Sequence, residues 1–255
     1  MLKILSVPFA ENNMNETVSW TNERIEKSLP TFIVTANPET VMKAKNNSSF
    51  HEVISSADMI TPDGIGIVYA SKILGHSLKE RVGGYDMLHA LLQYRESVGA
   101  STKLFLLGST QDVVGAAGEK LAELYGQVQV MGTHHGFFKK DSDEESLIVE
   151  LISREKPDLL LVGVGNPKQE EFIHRFRNEL GATVMIGVGG SFDILSGRIC
   201  RAPAIFRKLG LEWFYRLLCE PRRIKRQMVL PVFAFQVLME RLLHGSVAVE
   251  VKSTK

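Results

Sequence analysis

The sequence predicts an α/β fold over residues 1–200, a parallel sheet with helices on both faces, followed over residues 201–255 by a helical, basic and amphipathic C-terminal appendage. Three observations point there. Residues 159–164 read Leu-Leu-Leu-Val-Gly-Val, an apolar run without alternation, which suits a parallel strand buried on both faces. Runs of that kind alternate with stretches of helical length through the first 200 residues. From Arg201 onward the character changes: eleven Lys and Arg stand against four Glu, whereas residues 1–200 carry 19 basic and 25 acidic side chains. An acidic body with a basic tail implies an anionic partner for the tail.

Taken in order, Leu2 to Val7 reads as the first strand and Glu16 to Lys27 as an amphipathic helix. Thr31 to Thr35 is the next strand. It ends in Thr35-Ala36-Asn37-Pro38, and Pro38 followed by Glu39 starts a helix that runs to about Asn46. A short strand near Asp58 to Thr61 meets a Pro62-Asp63-Gly64 turn, in which Pro presets one dihedral and Gly permits positive φ; a helix then runs through Leu74 and closes at Gly75. Arg81 precedes a flexible Gly83-Gly84 and a helix from Asp86 to Val98. The second half repeats the rhythm. Lys103 to Leu107 is a strand ending in Gly108-Ser109-Thr110, with a helix to Tyr125, a strand from Val128 to Met131 and a loop at His134 to Phe138. A helix from Ser142 to Lys156 leads into the strand at 159–164, Lys168 opens the next helix, and Thr183 to Val188 is a strand ending in Gly189-Gly190-Ser191.

The tail is expected to hold a helix from Ala204 to Leu218 with an apolar stripe through Phe206, Leu209, Trp213 and Leu217, interrupted at Glu220-Pro221. A cationic turn and an apolar run broken at Pro231 come next. Such a segment reads as an interfacial membrane element lying in the headgroup region; the competing readings are a helix pair packed on the core and a contact with another copy of the chain.

The composition narrows the function. With 255 residues and 44% hydrophobic content the chain can bury a large core. Its two cysteines, Cys200 and Cys219, have neither zinc-site spacing nor the makings of a disulfide framework, so a reducing cytoplasm is the default. The N-terminus reads as a strand rather than a signal peptide, and no run approaches the roughly 20 apolar residues of a membrane span.

In open α/β sheets ligands sit beyond the carboxyl ends of the strands. That rule gathers Thr35, Asn37 and Asp63 at one rim with the glycine-bearing loops Gly108-Ser109, Gly165-Asn166-Pro167 and Gly189-Gly190, whose backbone N–H groups can approach a ligand closely. Lys168 and Gln169 at a helix start suggest a phosphate-bearing ligand. Taken alone, Asp63 also suits a mere turn and capping residue. A dinucleotide fingerprint is weak here, because Gly163-Val164-Gly165 is followed by Lys168 where the third glycine belongs. Gly115 to Lys120 lacks P-loop spacing, and His51-Glu52 is followed by Ser55 rather than a second zinc-binding His. Asp141-Ser142-Asp143 is read as helix capping rather than as a metal-binding Asp-x-Asp, and His134-His135 as a surface pair, so no metal is required.

Seven segments carry a family likeness: TANPE at 35–39, TPDGIGIVYASK at 61–72, RVGGYD at 81–86, GNPKQE at 165–170, GVGGSFD at 187–193, RAP at 201–203 and GLEWFYRL at 210–217. The chain resembles, from about Thr31 to Gln227, the bacterial WecG/TagA/CpsF glycosyltransferase family. The resemblance implies a Rossmann-like domain with a C-terminal appendage that docks peripherally on the inner face of the bacterial plasma membrane, with no cofactor and no nucleic-acid partner. It implies inverting, metal-independent transfer of N-acetylmannosamine or its uronic acid from a UDP-sugar donor to a polyprenyl-diphosphate-linked sugar such as N-acetylglucosamine, for teichoic acid, common antigen or capsule. Transfer of another hexose or uronic acid for exopolysaccharide is the alternative within the family, and a non-catalytic UDP-sugar sensor the alternative outside it. On the matching positions, Asp63 looks like the catalytic base with Thr35 beside it. Asn37, Arg81 and Gln169 look like donor or acceptor contacts, while Arg216, Arg223 and Arg226 match arginines that approach the diphosphates. These three lie on one helical face if a helix runs through Pro221.

Overall fold

The computed structural model describes residues 1–221 and 224–244. Its centre is a six-stranded, wholly parallel sheet in the order β4-β3-β8-β7-β5-β6. The strands are β3 (Thr31–Ala36), β4 (Met59–Pro62), β5 (Thr102–Gly108), β6 (Val128–His134), β7 (Leu159–Gly163) and β8 (Val184–Gly187). Between them run α2 (Pro38–Asn46), α3 (Ser48–Ser55), α4 (Ile65–Ile73), α5 (Gly84–Ser97), α6 (Gln111–Leu124), α7 (Asp143–Glu155) and α8 (Lys168–Phe176), with α1 (Met14–Glu26) before the sheet and α9 (Ser191–Leu195) after it.

The missing alternation in the central strands has a simple cause: both faces are covered. Phe32, Val34, Phe105, Leu107, Leu160, Val162 and Met185 pack on one side with Val41, Phe50, Ile148 and Phe172 from α2, α3, α7 and α8. Their neighbours Ile33, Leu104, Leu106, Leu159, Leu161, Val184 and Ile186 pack on the other with Val18, Leu88 and Val114 from α1, α5 and α6. Successive side chains alternate in direction, yet each finds an apolar layer.

Three local expectations are corrected. Leu2 to Val7 is not one strand: β1 (Leu2–Ile4) and β2 (Val7–Phe9) form a separate antiparallel hairpin, pairing Leu2 with Phe9 and Ile4 with Val7. Its two-residue turn, Leu5-Ser6, holds both residues at positive φ without the Asn or Gly that usually advertises such a turn. The helix expected from Ala204 to Leu218 is divided into α10 (Ala204–Lys208) and α11 (Glu212–Cys219), because Gly210 turns the chain at φ +72° where it passes Ile65. Pro231 does not break the apolar run around it. It lies in the first turn of α13 (Val229–His244), where the missing N–H would have had no helical partner.

α13 packs against α2 and α4. Phe233 and Val237, one turn apart, are buried in the core, and the Glu240 carboxylate accepts a hydrogen bond from the Leu5 N–H at 3.1 Å. Val232, Phe235, Leu238 and Leu242 remain exposed.

Candidate active site

A cleft of about 780 Å³ opens at the carboxyl ends of β3, β4 and β8 and after β7, walled on the other side by α4 and by α10, α11, α12 (Ile224–Gln227) and α13. Thr35, the penultimate residue of β3, enters it, and its hydroxyl donates to the Gly187 carbonyl at 3.0 Å. Asn37 caps α2: its side-chain oxygen accepts from the Thr40 N–H at 3.0 Å and from the Thr40 hydroxyl at 3.2 Å.

Asp63 stands at the cleft floor, just past β4. Its N–H donates to the Ala36 carbonyl at 2.9 Å, and Gly64 turns the chain away at φ +97°, so the side chain is presented from a fixed backbone. The side chain lines the cleft and is 32% exposed, with Arg81 Nη1 at 4.0 Å from Oδ1. Desolvation by the surrounding protein pushes its pKa up. The Arg81 and Arg216 charges oppose that shift, and Glu212 and Asp86 reinforce it. Gly83 leaves the carboxyl its room: a Cβ there would lie 2.6 Å from Oδ1.

Around Asp63 the cationic side chains are held by carboxylates. Arg81 bonds Asp86, and also Glu212 Oε2 at 3.1 Å. Glu212 Oε1 takes Arg216 at 2.9 Å. Arg201 bonds Asp86 and stacks on the Tyr85 ring 4.3 Å from its centroid. Arg226 meets Glu39 at 2.9 Å, and Glu39 also pairs with Lys43 at 2.9 Å. Such sites hold preformed positive charge that an incoming diphosphate can take over from the carboxylates.

Gln169, almost wholly buried, lines the opposite wall. Its side-chain oxygen accepts from the Gly189 N–H at 3.1 Å, and its amide nitrogen donates to Glu170 at 2.8 Å. Gly165, Asn166, Gly189 and Gly190 line the cleft beside it, as do Arg216 and Arg226.

Four expected residues are not in the lining. Gly108 packs on the end of β7, where a Cβ would lie 2.5 Å from the Gly163 carbonyl carbon, and the Ser109 carbonyl accepts from the Gly136 N–H at 2.9 Å. Pro167, joined to Asn166 by a cis peptide bond, and the exposed Lys168 begin α8 outside the cleft. Arg223 lies outside the described residues. Arg216 and Arg226 do not share one helix, because α11 ends at Cys219, before Glu220-Pro221, and α12 starts at Ile224. They reach one cleft by tertiary folding.

Sequence reasoning missed Glu39, Asp86, Glu170, Arg201, Arg207 and Glu212 as lining residues. Asp86, Arg201 and Glu212 stood inside segments already singled out; what was invisible was their pairing across more than a hundred residues. Asp141-Ser142-Asp143 sits where capping was expected, with the Ser142 hydroxyl accepting from the Glu145 N–H at 3.3 Å. Among the described residues, His134, His135 and Glu144 bring donor atoms within 4.8 Å of one another, outside the cleft lining. His135 Nδ1 accepts from the Phe137 N–H at 3.3 Å, so its proton sits on Nε2, facing Glu144 at 3.6 Å.

The chain matches the pattern of the glycosyl transferase WecG/TagA/CpsF family over residues 2–246. It is 34% identical to an N-acetylglucosaminyldiphosphoundecaprenol N-acetyl-beta-D-mannosaminyltransferase of Bacillus subtilis strain 168, over 93% of this chain and 91% of that protein. Proteins of the same name from Bacillus spizizenii and Staphylococcus aureus strain NCTC 8325 are 36% and 41% identical, covering 84% and 81% of this chain and 81% and 79% of their own lengths. With its fold, its cleft and these relatives in agreement, the chain belongs to the WecG/TagA/CpsF family of glycosyl transferases.

Proposed function

We propose that this chain is an inverting glycosyltransferase that moves N-acetylmannosamine from UDP to N-acetylglucosamine carried on a polyprenyl diphosphate. The observation that carries the reading is the Asp63 carboxyl, raised in pKa and set among Arg81, Arg216 and Glu212 in a cleft of about 780 Å³. In one displacement the acceptor hydroxyl attacks the anomeric carbon, its proton passes to Asp63, and the bond from that carbon to the phosphate oxygen breaks to release UDP. A carboxylate with a raised pKa takes the proton more readily than an ordinary one. Charge growing on the leaving diphosphate is met by arginines, of which Arg81, Arg201, Arg216 and Arg226 stand ready. Thr35, with its proton engaged by Gly187, offers its lone pairs to a sugar hydroxyl.

The apolar arm of the cleft favours a lipid-linked acceptor. Ile65, Tyr69 and Ile73, spaced by four along α4, line the cleft with Leu230 and Ala234 of α13, a lining that suits the first units of a prenyl chain. The exposed Ile205, Leu209, Leu218, Phe235 and Leu242, with Arg207 and Arg226 nearby in the chain, favour docking in the headgroup layer at the cytoplasmic face of the membrane. Among the described residues no helix is long and apolar enough to cross a membrane. The same exposed residues also suit a contact between copies of the chain. Paired Phe235→Asp and Leu242→Asp substitutions are expected to abolish co-sedimentation with anionic vesicles and leave the melting temperature in place; unchanged co-sedimentation would count for the second use.

The activity is tested by UDP release from a panel of UDP-sugars with a lipid-diphosphate-linked N-acetylglucosamine. Acceptor-dependent release is expected with UDP-N-acetylmannosamine, and Asp63→Asn should lower kcat by about 10²–10⁴-fold. UDP binding without release from any UDP-sugar would favour a sensor instead.

A further inference from the structure

One buried acid in this cleft has no part in the sugar-transfer chemistry. Glu170, in the first turn of α8, is 2% exposed. Its Oε1 accepts from the Gln169 amide at 2.8 Å, while its Oε2 is buried without a hydrogen-bond partner. The Asn166 side chain is close enough to act on the Glu170 carboxyl, and Asn166 Oδ1 is likewise buried and without a partner. A buried carboxylate oxygen without a donor is costly, and protonation removes the charge that makes it so.

Both neighbours of Glu170 hold a wall of the cleft. Through Gln169 the acid reaches the Gly189 N–H at 3.1 Å, and the Gln169 amide packs so tightly on Gly187 that a Cβ there would lie 2.5 Å from Nε2. The Gly187 carbonyl in turn holds the Thr35 hydroxyl at 3.0 Å. Through Asn166 the acid reaches the Thr40 hydroxyl at 3.5 Å, and Thr40 bonds the Asn37 side chain. The residues expected to touch donor and acceptor, Thr35 and Gln169 on one side and Asn37 on the other, are thus tied to one carboxyl.

We propose that Glu170 is a positioning residue that acts as a neutral acid: its carbonyl oxygen fixes the Gln169 amide, and with the Asn166 side chain beside it this holds both walls of the sugar-transfer cleft in register. The role rests on the transferase reading of the cleft. Burial is the largest influence on the acid and raises its pKa to about 7, against the lowering effects of Gln169, its own backbone N–H, Asn166 and the Lys43 charge of α2. Lys43 is itself paired with Glu39, which also takes Arg226 of α12. A raised pKa means that the folded protein holds the proton while an unfolded chain has released it. The contribution is complete below the ordinary Glu range and is lost as pH climbs through about 7. At higher pH, a charge desolvated by burial stands behind both walls and they loosen.

The test compares the full-length protein with Glu170→Gln and Glu170→Ala. Gln reproduces the neutral acid, with a carbonyl to accept from Gln169. Glu170→Ala should lose about 10–100-fold in kcat/KM for UDP release, and Glu170→Gln should recover it to within about threefold. The wild type should lose kcat/KM on the alkaline side as Glu170 ionises near pH 7, and that limb should be missing in Glu170→Gln. Thermal melts give a readout independent of turnover: between pH 5.5 and 8.5, roughly, the wild type should lose melting temperature relative to Glu170→Gln. The proposal is overturned if Glu170→Gln is as impaired as Glu170→Ala, or if wild type and Glu170→Gln share one pH dependence in both activity and melting. If no UDP-sugar turns over at all, the transferase reading fails while the melting comparison still decides the role of Glu170.

Discussion

At the carboxyl edge of the sheet, the segments after β3, β4, β7 and β8 line a cleft, whereas Gly108 and Ser109 after β5 do not, although glycines end strands on both sides. The difference lies in what faces each loop. Gly189 and Gly190 look across open space toward the appendage helices and toward Arg201, Arg207 and Arg216. Gly108 looks at Gly163 of the adjoining strand, and the loop beyond it is closed by the Gly136 N–H bonding the Ser109 carbonyl at 2.9 Å. The same residue type thus serves ligand approach in one half and strand contact in the other. A glycine at a strand end announces a close approach without saying what approaches.

Substitutions on either side can break this contrast. On the cleft side the largest loss is the one expected of Asp63→Asn. Across the sheet, Gly108→Val should destabilise the protein by about 2–4 kcal/mol, since its Cβ meets Gly163 backbone at a positive-φ position, φ +148°. In urea unfolding the midpoint should fall, while KM for the UDP-sugar in the folded fraction stays put; a raised KM at full stability would return Gly108 to the binding site.

A smaller effect is expected of Glu212, which is 14% exposed and bridges Arg81 of the body to Arg216 of α11. Its charge raises the Asp63 pKa, so Glu212→Gln should move the acidic limb of kcat/KM, where Asp63 must be ionised, to lower pH. An acidic limb that stays in place would separate Glu212 from the base. Least of all should come from Lys168→Ala, because this side chain begins α8 outside the cleft: activity should stay within about twofold and stability within about 0.5 kcal/mol. A tenfold rise in KM would show that the phosphate contact inferred from its helix-start position is real after all.

Much of the body was legible because its elements are written locally. Pro38 and Glu39 mark the start of α2, and the helix ends at Asn46 as expected. Apolar runs marked β3, β5 and β7 because strands covered on both faces need apolar side chains at every position. α3 was overlooked: Asn47 ends one helix and caps the next, its side chain accepting from the Phe50 N–H at 3.1 Å, so no loop residues separate the two. β6 runs on to His134 rather than stopping at Met131, held in register by β5 despite its thin apolar pattern. The hairpin turn at Leu5-Ser6 bore no turn residue, and the division at Gly210 was hidden inside an apolar stripe that suited one continuous helix.

By itself, then, the sequence determined which segments become strands and helices, that the sheet is parallel, and that Thr35 and Asp63 arrive at strand ends, since dihedral preference, capping and burial pattern act over a few residues. Only the tertiary structure decided the strand order, which half of the edge became a cleft, and how its charges pair. Arg81 finds Glu212, Arg201 finds Asp86, and Glu170 loses its water because the strands and appendage helices close around them. Charge pairing and desolvation depend on distance in space, and chain separations above a hundred residues carry no trace of it.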